Sequence, residues 1–284
     1  MSHWTLWKAH GLGNDYLVLE SGPALSPKTA RAICSRTHGV GADGVLEPFD
    51  GPTGTYGVRI WNPDGSIAEK SGNGLRIFAH WKHYVNGGPL AFTLVTGPSS
   101  VQCRIKPTSI AVEMGRARQL ADNLPHDEGS PWVEREVEIG DDRLRITSIN
   151  VGNPHAVVFV PSAVLDGQRW KDWGATIERL EAYRDRTNVQ FAHIGADGRI
   201  DARIWERGAG WTLASGSSSC AVVAAAFLTN RIAAGSHLVH MEGGVLTVSI
   251  TEELDLVLEG PVTPIGRTTT SLDWDVDGAA GSAT

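Results

Sequence analysis

"RIWNPDGSIAEKSGNGLRIFA" (residues 59–79) and "RIWERGAGWTLASGSSSCAVVA" (residues 203–224) share one pattern, set 144 residues apart. In each, a tryptophan, Trp61 or Trp205, stands ten positions before a Ser-Gly pair, Ser71-Gly72 or Ser215-Gly216, and an apolar run follows. A second match precedes these in the same order. Gly13-Asn14-Asp15-Tyr16-Leu17-Val18 resembles Gly152-Asn153-Pro154-His155-Ala156-Val157, 139 residues on. Two ordered matches half a chain apart point to a duplicated unit of about 140 residues, and a chain of 284 residues has room for two such units.

Within each unit the pattern is mostly strand with one long helix. "YGVRIW" (56–61) and "IDARIWE" (200–206) alternate like half-buried strands, and "AFTLV" (91–95), "AVVFV" (156–160), "VLTVSI" (245–250) and "LDLVLEG" (254–260) are short β-branched runs. Leu75 to Val85, stopped by Asn86-Gly87-Gly88, and Cys220 to Leu228 are apolar on nearly every side, which predicts a buried central helix in each unit. The fold class expected is α/β, or α+β: two pseudo-two-fold-related domains, each a curved, mostly antiparallel sheet wrapped around its helix.

A serine before Gly-Asn-Gly has the character of a helix N-cap, whose first N–H groups are free to bind an anion. If the units are related by a pseudo-two-fold, Ser71 and Ser215 stand at equivalent helix starts that can face each other. A carboxylate between them would accept from Gly72, Asn73, Gly216 and Ser217, with both helix dipoles favouring the charge. Two side chains flanking one carbon suit proton removal on one face and delivery on the other.

Composition narrows the partners. Apolar residues make up 41% and charged residues 20%, with a net charge of -7 and no basic cluster, so neither a nucleic-acid footprint nor affinity for an anionic membrane is expected. The longest strongly apolar run, Ala221–Leu228, has eight residues against the ~20 of a spanning helix. No signal peptide is read at the N-terminus, and the small polar residues of Asp277–Thr284 suggest a frayed end. Cys34, Cys103 and Cys220 are odd in number and lack CxxC spacing, which fits a reducing, cytoplasmic setting. "GVGADG" (39–44) matches the dinucleotide fingerprint in letters but lies after a helical and before a strand pattern, the reverse of what that motif needs. His80 and His83 have helical spacing but no third ligand nearby, so they are read as solvated or core histidines.

"KAHGLGNDYLVLE", "RTHGVGADGVL", "RIWNPDGSIAEKSGNGLRIFA", "INVGNPHAVVFV", "RTNVQF" and "WERGAGWTLASGSSSCA" together resemble the motifs of the diaminopimelate epimerases, in the family's order and over nearly the whole chain. Those enzymes invert one α-carbon of LL-diaminopimelate to give the meso form, on the route to lysine and cell-wall peptide. The resemblance implies an amino acid epimerase that works without pyridoxal phosphate or metal, with a small zwitterionic substrate, and it allows a homodimer. It places Asn14, Asn62, Asn153, Asn188, Glu206 and Arg207 around the substrate and sets His155 and Glu206 beside the two bases. It also implies a boundary near Arg118, giving domains of 1–118 plus 265–284 and 119–264, with "GPVTPIGRTTT" (260–270) returning to the first.

The chain departs from the family at the chemistry itself, because the family's two bases are cysteines and the matching positions here are Ser71 and Ser215. A thiol of pKa near 8.5 can be brought to a thiolate at neutral pH; a serine hydroxyl needs an adjacent general base. Glu206 or His155 acting through a serine hydroxyl or a water meets that need, Glu206 being the better candidate. Cys220 lies about 7.5 Å deeper along its helix and is read as a buried apolar residue. Two further departures are Gly44, where many members carry a polar residue that contacts substrate, and Ser218, where glycine is common. Two alternatives stay open: a paralogue that binds an amino acid without inverting it, and a one-base isomerase or lyase using Glu206 or Glu69.

Overall fold

The computed structural model describes residues 3–270; the tail expected at Asp277–Thr284 lies outside them. The N-terminal half contains β1 (Trp4–Gly11), β2 (Asn14–Ser21), α1 (Pro27–Cys34), β3 (Val45–Asp50), β4 (Thr55–Trp61), β5 (Ile67–Ala68), α2 (Gly72–His80), β6 (Ala91–Thr96), β7 (Ser99–Ile105) and β8 (Ile110–Arg116). A small hairpin, β9 (His126–Asp127) with β10 (Ser130–Pro131), leads to the second half. There follow β11 (Arg135–Ile139), β12 (Asp142–Asn150), β13 (Pro154–Phe159), α3 (Ser162–Asp166), α4 (Arg169–Ile177), β14 (Asn188–Ile194), β15 (Ile200–Glu206), β16 (Gly210–Thr212), α5 (Gly216–Leu228), β17 (Gly235–Met241), β18 (Gly244–Ile250), β19 (Asp255–Gly260) and β20 (Thr263–Thr270).

The duplication is visible in the strand pairing. β1–β2 is antiparallel, β2–β3 parallel and β3–β4 antiparallel; β4 then pairs antiparallel with β5 and parallel with β6, and β6–β7–β8 is a meander. From β12 to β19 the same sequence of pairings recurs, strand for strand, around α5. β20 flanks β1 as β11 flanks β12, so the last described strand lies against the first. β8 and β19 pair antiparallel across the pseudo-two-fold and join both halves into one continuous sheet.

Helix α5 lies inside its curved sheet because it has no polar face to offer water beyond its first turn, and α2 is buried from Gly72 to Ala79 with its Asn73 and Arg76 bonded to each other. In α5, every residue from Ser218 to Ala226 is buried, and Leu75, Ile77, Phe78 and Ala79 of α2 share one apolar core with it. Both helices begin at Gly72 and Gly216, as the Ser-Gly pairs predict, and the small polar residues ahead of the apolar runs form the first turn. α2 widens into a π-helical turn at Trp81–Val85, whose end emerges into solvent at Tyr84, so the burial expected to Val85 stops short. The "GVGADG" stretch connects α1 to β3, the order its flanks predicted. His80 stacks on Trp7 at 5.6 Å between centroids, and His83 Nδ1 contacts the Gly88 carbonyl at 2.7 Å. All three cysteines are buried and unpaired, and no described helix is long and apolar enough to cross a membrane.

Candidate active site

The starts of α2 and α5 meet head to head. A Cβ built on Gly72 would lie 3.3 Å from Gly216 Cα, one built on Gly216 would lie 3.2 Å from Gly72 Cα, and both would come within 2.7 Å of Leu258 Cδ2. Only hydrogen at both positions lets the two backbones approach this closely. Ser71 and Ser215, the N-cap residues, are therefore held on either side of one junction between the halves.

The two caps are built differently. Ser71 Oγ accepts from Gly74 N at 3.0 Å, as an N-cap should, and also shares a hydrogen bond with the Tyr16 hydroxyl at 3.0 Å. Ser215 makes no capping bond to its helix; its hydroxyl lies close enough to the Glu206 carboxylate at the end of β15 to favour that group's charged form. Burial holds the Glu206 pKa above the usual carboxylate range, the Ser215 hydroxyl opposes the rise, and Asp43 adds to it. A carboxylate of raised pKa beside a serine hydroxyl can serve as a base with a relay.

Around this junction the asparagines fall into two sets. On the N-terminal side, Leu12 and Gly13 adopt positive φ in the tight turn between β1 and β2 and deliver Asn14, whose amide donates to Asp43 Oδ2 at 2.8 Å. Asn73 Nδ2 donates to Asn14 Oδ1 at 3.0 Å, and the fully buried Arg76 donates to Asn73 Oδ1 at 2.7 Å and to the Gly72 carbonyl at 3.2 Å. Burial brings the Arg76 pKa down to about 10, which leaves it cationic at neutral pH. On the C-terminal side, His155 Nε2 contacts Asn153 Oδ1 at 2.8 Å, and Asn188 donates to the Pro154 carbonyl while accepting from Arg207 N at 3.0 Å. Burial lowers the His155 pKa to about 3; the Gln190 side chain, which donates to Ser218 Oγ at 3.0 Å, partly opposes this and Arg207 adds to it. His155 is a neutral imidazole at neutral pH.

Some expected residues stand apart. The Arg207 guanidinium is exposed and donates to the Asp185 carbonyl at 3.1 Å, and Asn62 closes the β4–β5 turn through Ser66 Oγ at 2.9 Å. Glu69 is exposed and lines a different cavity of about 590 Å3 with Lys70 and Arg118. Cys220 is fully buried, and burial pushes its thiol up to about 12, which makes it inert as a base. Gly216 and Ser217 occupy the first turn of α5 as the repeat predicts. A cavity of about 230 Å3 opens beside Asn14, Arg36 and Asp43 and is walled opposite by Trp211–Ala214, the residues leading into Ser215.

Tyr16, Asp43, Arg76 and Gln190 carry much of this geometry and were not singled out from sequence. A signal for Tyr16 was present, since the repeat sets it opposite His155. Asp43 and Gln190 are connected by contacts between residues distant in sequence, which have no local pattern, and Arg76 binds one helical turn back to Gly72 and Asn73.

Comparison with known proteins agrees with this architecture. The sequence profile of the diaminopimelate epimerase family matches residues 6–120 and 147–265. The chain is 34% identical over 268 residues to the diaminopimelate epimerase of Synechococcus elongatus, covering 91% of this chain and 95% of that protein. It is 34% identical over 272 residues to that of Pelotomaculum thermopropionicum, with 91% and 95% covered. Among solved structures, a hydroxyproline epimerase from Agrobacterium vitis superposes with a TM-score of 0.71 at 14% identity over 94% of this chain and 91% of that one. A phenazine biosynthesis protein of the PhzF family from Bacillus anthracis gives 0.71 at 13% identity, covering 96% and 100%; these two likenesses concern the fold alone. The chain belongs to the diaminopimelate epimerase family of isomerases.

Proposed function

We propose that the protein interconverts LL- and meso-diaminopimelate by moving the α-proton between the two faces of one carbon at the α2–α5 junction. The observation that carries this reading is the head-to-head meeting of two serine-capped helix starts, one cap bonded to Tyr16 and the other beside the Glu206 carboxylate. The substrate's α-carboxylate would take the free N–H groups of Gly72, Asn73, Gly216 and Ser217, where both helix dipoles favour an anion. The α-carbon would then lie between Ser71 and Ser215.

In this reading Glu206 is the base and Ser215 its relay. Retained in the carboxylate form, Glu206 draws the Ser215 hydroxyl proton as that oxygen takes the α-proton. Asn14, Asn62, Asn153, Asn188 and Arg207 would hold the distal amino acid group, Arg207 swinging from the Asp185 carbonyl to fork onto the distal carboxylate. The cavity beside Asn14 and Asp43 is where a second polar end would enter. Neutral His155 would fix the Asn153 amide rather than take a proton itself.

Proton NMR of each isomer with the protein in D2O tests the assignment. Appearance of the other stereoisomer with deuterium at the α-carbon is the expected result. Saturable binding without exchange would leave a binding paralogue. Arg207→Ala tests the substrate: because the side chain is exposed and, among the described residues, bonds to the Asp185 carbonyl, the fold should be unaffected while KM rises by about tenfold or more. An unchanged KM would remove the distal-carboxylate assignment.

A further inference from the structure

The repeat equates Tyr16 with His155, and the strand registers extend the equation. Leu17 pairs with Val45 in the parallel β2–β3 ladder as Ala156 pairs with Val189 in β13–β14, so one residue earlier Gly44 stands to Tyr16 as Asn188 stands to His155. The two halves have filled these equivalent places in opposite ways. In the second half a histidine is partnered by an asparagine. In the first, an aromatic ring fills the space and the neighbouring residue has no side chain: a Cβ on Gly44 would come within 2.6 Å of Tyr16 Cε1 and 2.5 Å of the Trp61 carbonyl oxygen. Gly44 and Ser71, read in the sequence as separate departures, are thus both in the surroundings of one tyrosine.

Tyr16 is buried, and among the described contacts its hydroxyl meets Ser71 Oγ at 3.0 Å. Ser71 Oγ already accepts the Gly74 N–H. A phenol held neutral against a serine oxygen at a helix N-terminus is suited to donate, and the helix end stabilises the negative charge that builds on that oxygen. The opposite cap has an acceptor behind it, the Glu206 carboxylate. The two faces therefore carry unlike equipment, a carboxylate beside one hydroxyl and a neutral phenol bonded to the other.

We infer that Tyr16 is a positioning residue that backs Ser71 as the proton-donating face of the site, opposite the proton-accepting Ser215–Glu206 face. This rests on the epimerase reading above. On the Ser215 side the Cα–H bond breaks and leaves its electron pair on carbon. The proton goes to Ser215 Oγ while the Ser215 hydroxyl proton passes to Glu206. On the Ser71 side that electron pair takes the Ser71 hydroxyl proton to form the new C–H bond, while the Tyr16 hydroxyl proton passes to Ser71 Oγ. Water then returns the proton from Glu206 to the phenolate, and no proton is gained or lost.

Tyr16→Phe keeps the ring that packs on Gly44 and removes only the donor. The expected result in D2O is a split: inversion falls about 10²-fold, while one stereoisomer, the one whose α-hydrogen faces Ser215, still exchanges its α-proton within about threefold of the unsubstituted rate. A merely structural role would slow exchange and inversion together, and that outcome, like unchanged inversion, overturns the proposal. A second measurement does not depend on turnover. In protein labelled with 13Cζ-tyrosine, the resonance absent from Tyr16→Phe identifies Tyr16, and Ser71→Ala should move it; an unmoved resonance also overturns the proposal. If the unsubstituted protein neither exchanges nor inverts diaminopimelate, the epimerase reading falls and this proposal with it, whereas a moved resonance would still establish the Tyr16–Ser71 pair.

Discussion

Glu206→Gln is expected to lower α-proton exchange and inversion of diaminopimelate by about 10²–10⁴-fold, the usual size of a lost general base. The glutamine is nearly isosteric and can still meet the Ser215 hydroxyl, so substrate affinity should change little and the loss should fall on kcat. The unsubstituted enzyme should lose activity as pH falls through the raised pKa of Glu206, with its acid limb above the ordinary carboxylate range. Stability should move the other way. A carboxyl whose folded pKa exceeds its unfolded value binds more protons in the folded state, so its effect is to lower stability as pH rises from the unfolded pKa through the folded one. Glu206→Gln removes that cost, and its melting temperature at pH 7 should equal or exceed that of the unsubstituted protein. A variant that keeps its kcat would remove Glu206 as the base. Loss of activity accompanied by a lower melting temperature would indicate a structural role instead.

The second large effect is expected at the helix junction. Gly72 has an ordinary helical position, where alanine is intrinsically favoured by up to ~1 kcal/mol. Packing reverses the sign, because the added methyl would meet Leu258 Cδ2 at 2.7 Å and the Gly216 backbone at 3.3 Å. Overpacking of this kind costs about 1–3 kcal/mol, and for a chain of this size each kcal/mol lowers the melting temperature by about 2–4 °C. Gly72→Ala should therefore melt several degrees lower and, by prising the two caps apart, lose activity beyond its loss of stability. Thermal denaturation beside the D2O exchange assay measures both. A stabilised, active Gly72→Ala would mean that the two helix starts do not meet as described.

Much of this architecture was legible in the chain because duplication makes a sequence its own alignment. The spacing from Trp61 to Ser71 and from Trp205 to Ser215 reports equivalent strand-to-helix connections, and the all-apolar character of Ala221–Leu228 requires a helix with no face toward water. The placement of β3 after "GVGADG" followed from the order of its neighbours. The helix starts followed from the Ser-Gly pairs and not from the apolar runs, because Gly72–Gly74 and Gly216–Ser219 carry no apolar signal. Only their N–H groups and the N-cap serines define those turns.

The site was legible unevenly, for a physical reason. A serine replaces a thiol in one letter, and that letter can be read alone. What stands behind Ser71 cannot, because the partner comes from another strand: Tyr16 from β2 reaches Ser71 across 55 residues, as Gln190 from β14 reaches Ser218 across 28. The sequence by itself determined a duplicated chain, two buried helices beginning at Ser-Gly, and an amino acid epimerase family. Only the tertiary structure decided that Gly72 and Gly216 touch and that the two hydroxyls have unlike partners. Propensity and periodicity are local properties of a segment, whereas the approach of two helix ends and the hydrogen-bond partner of a buried hydroxyl are set by how the whole sheet curves to bring distant residues together.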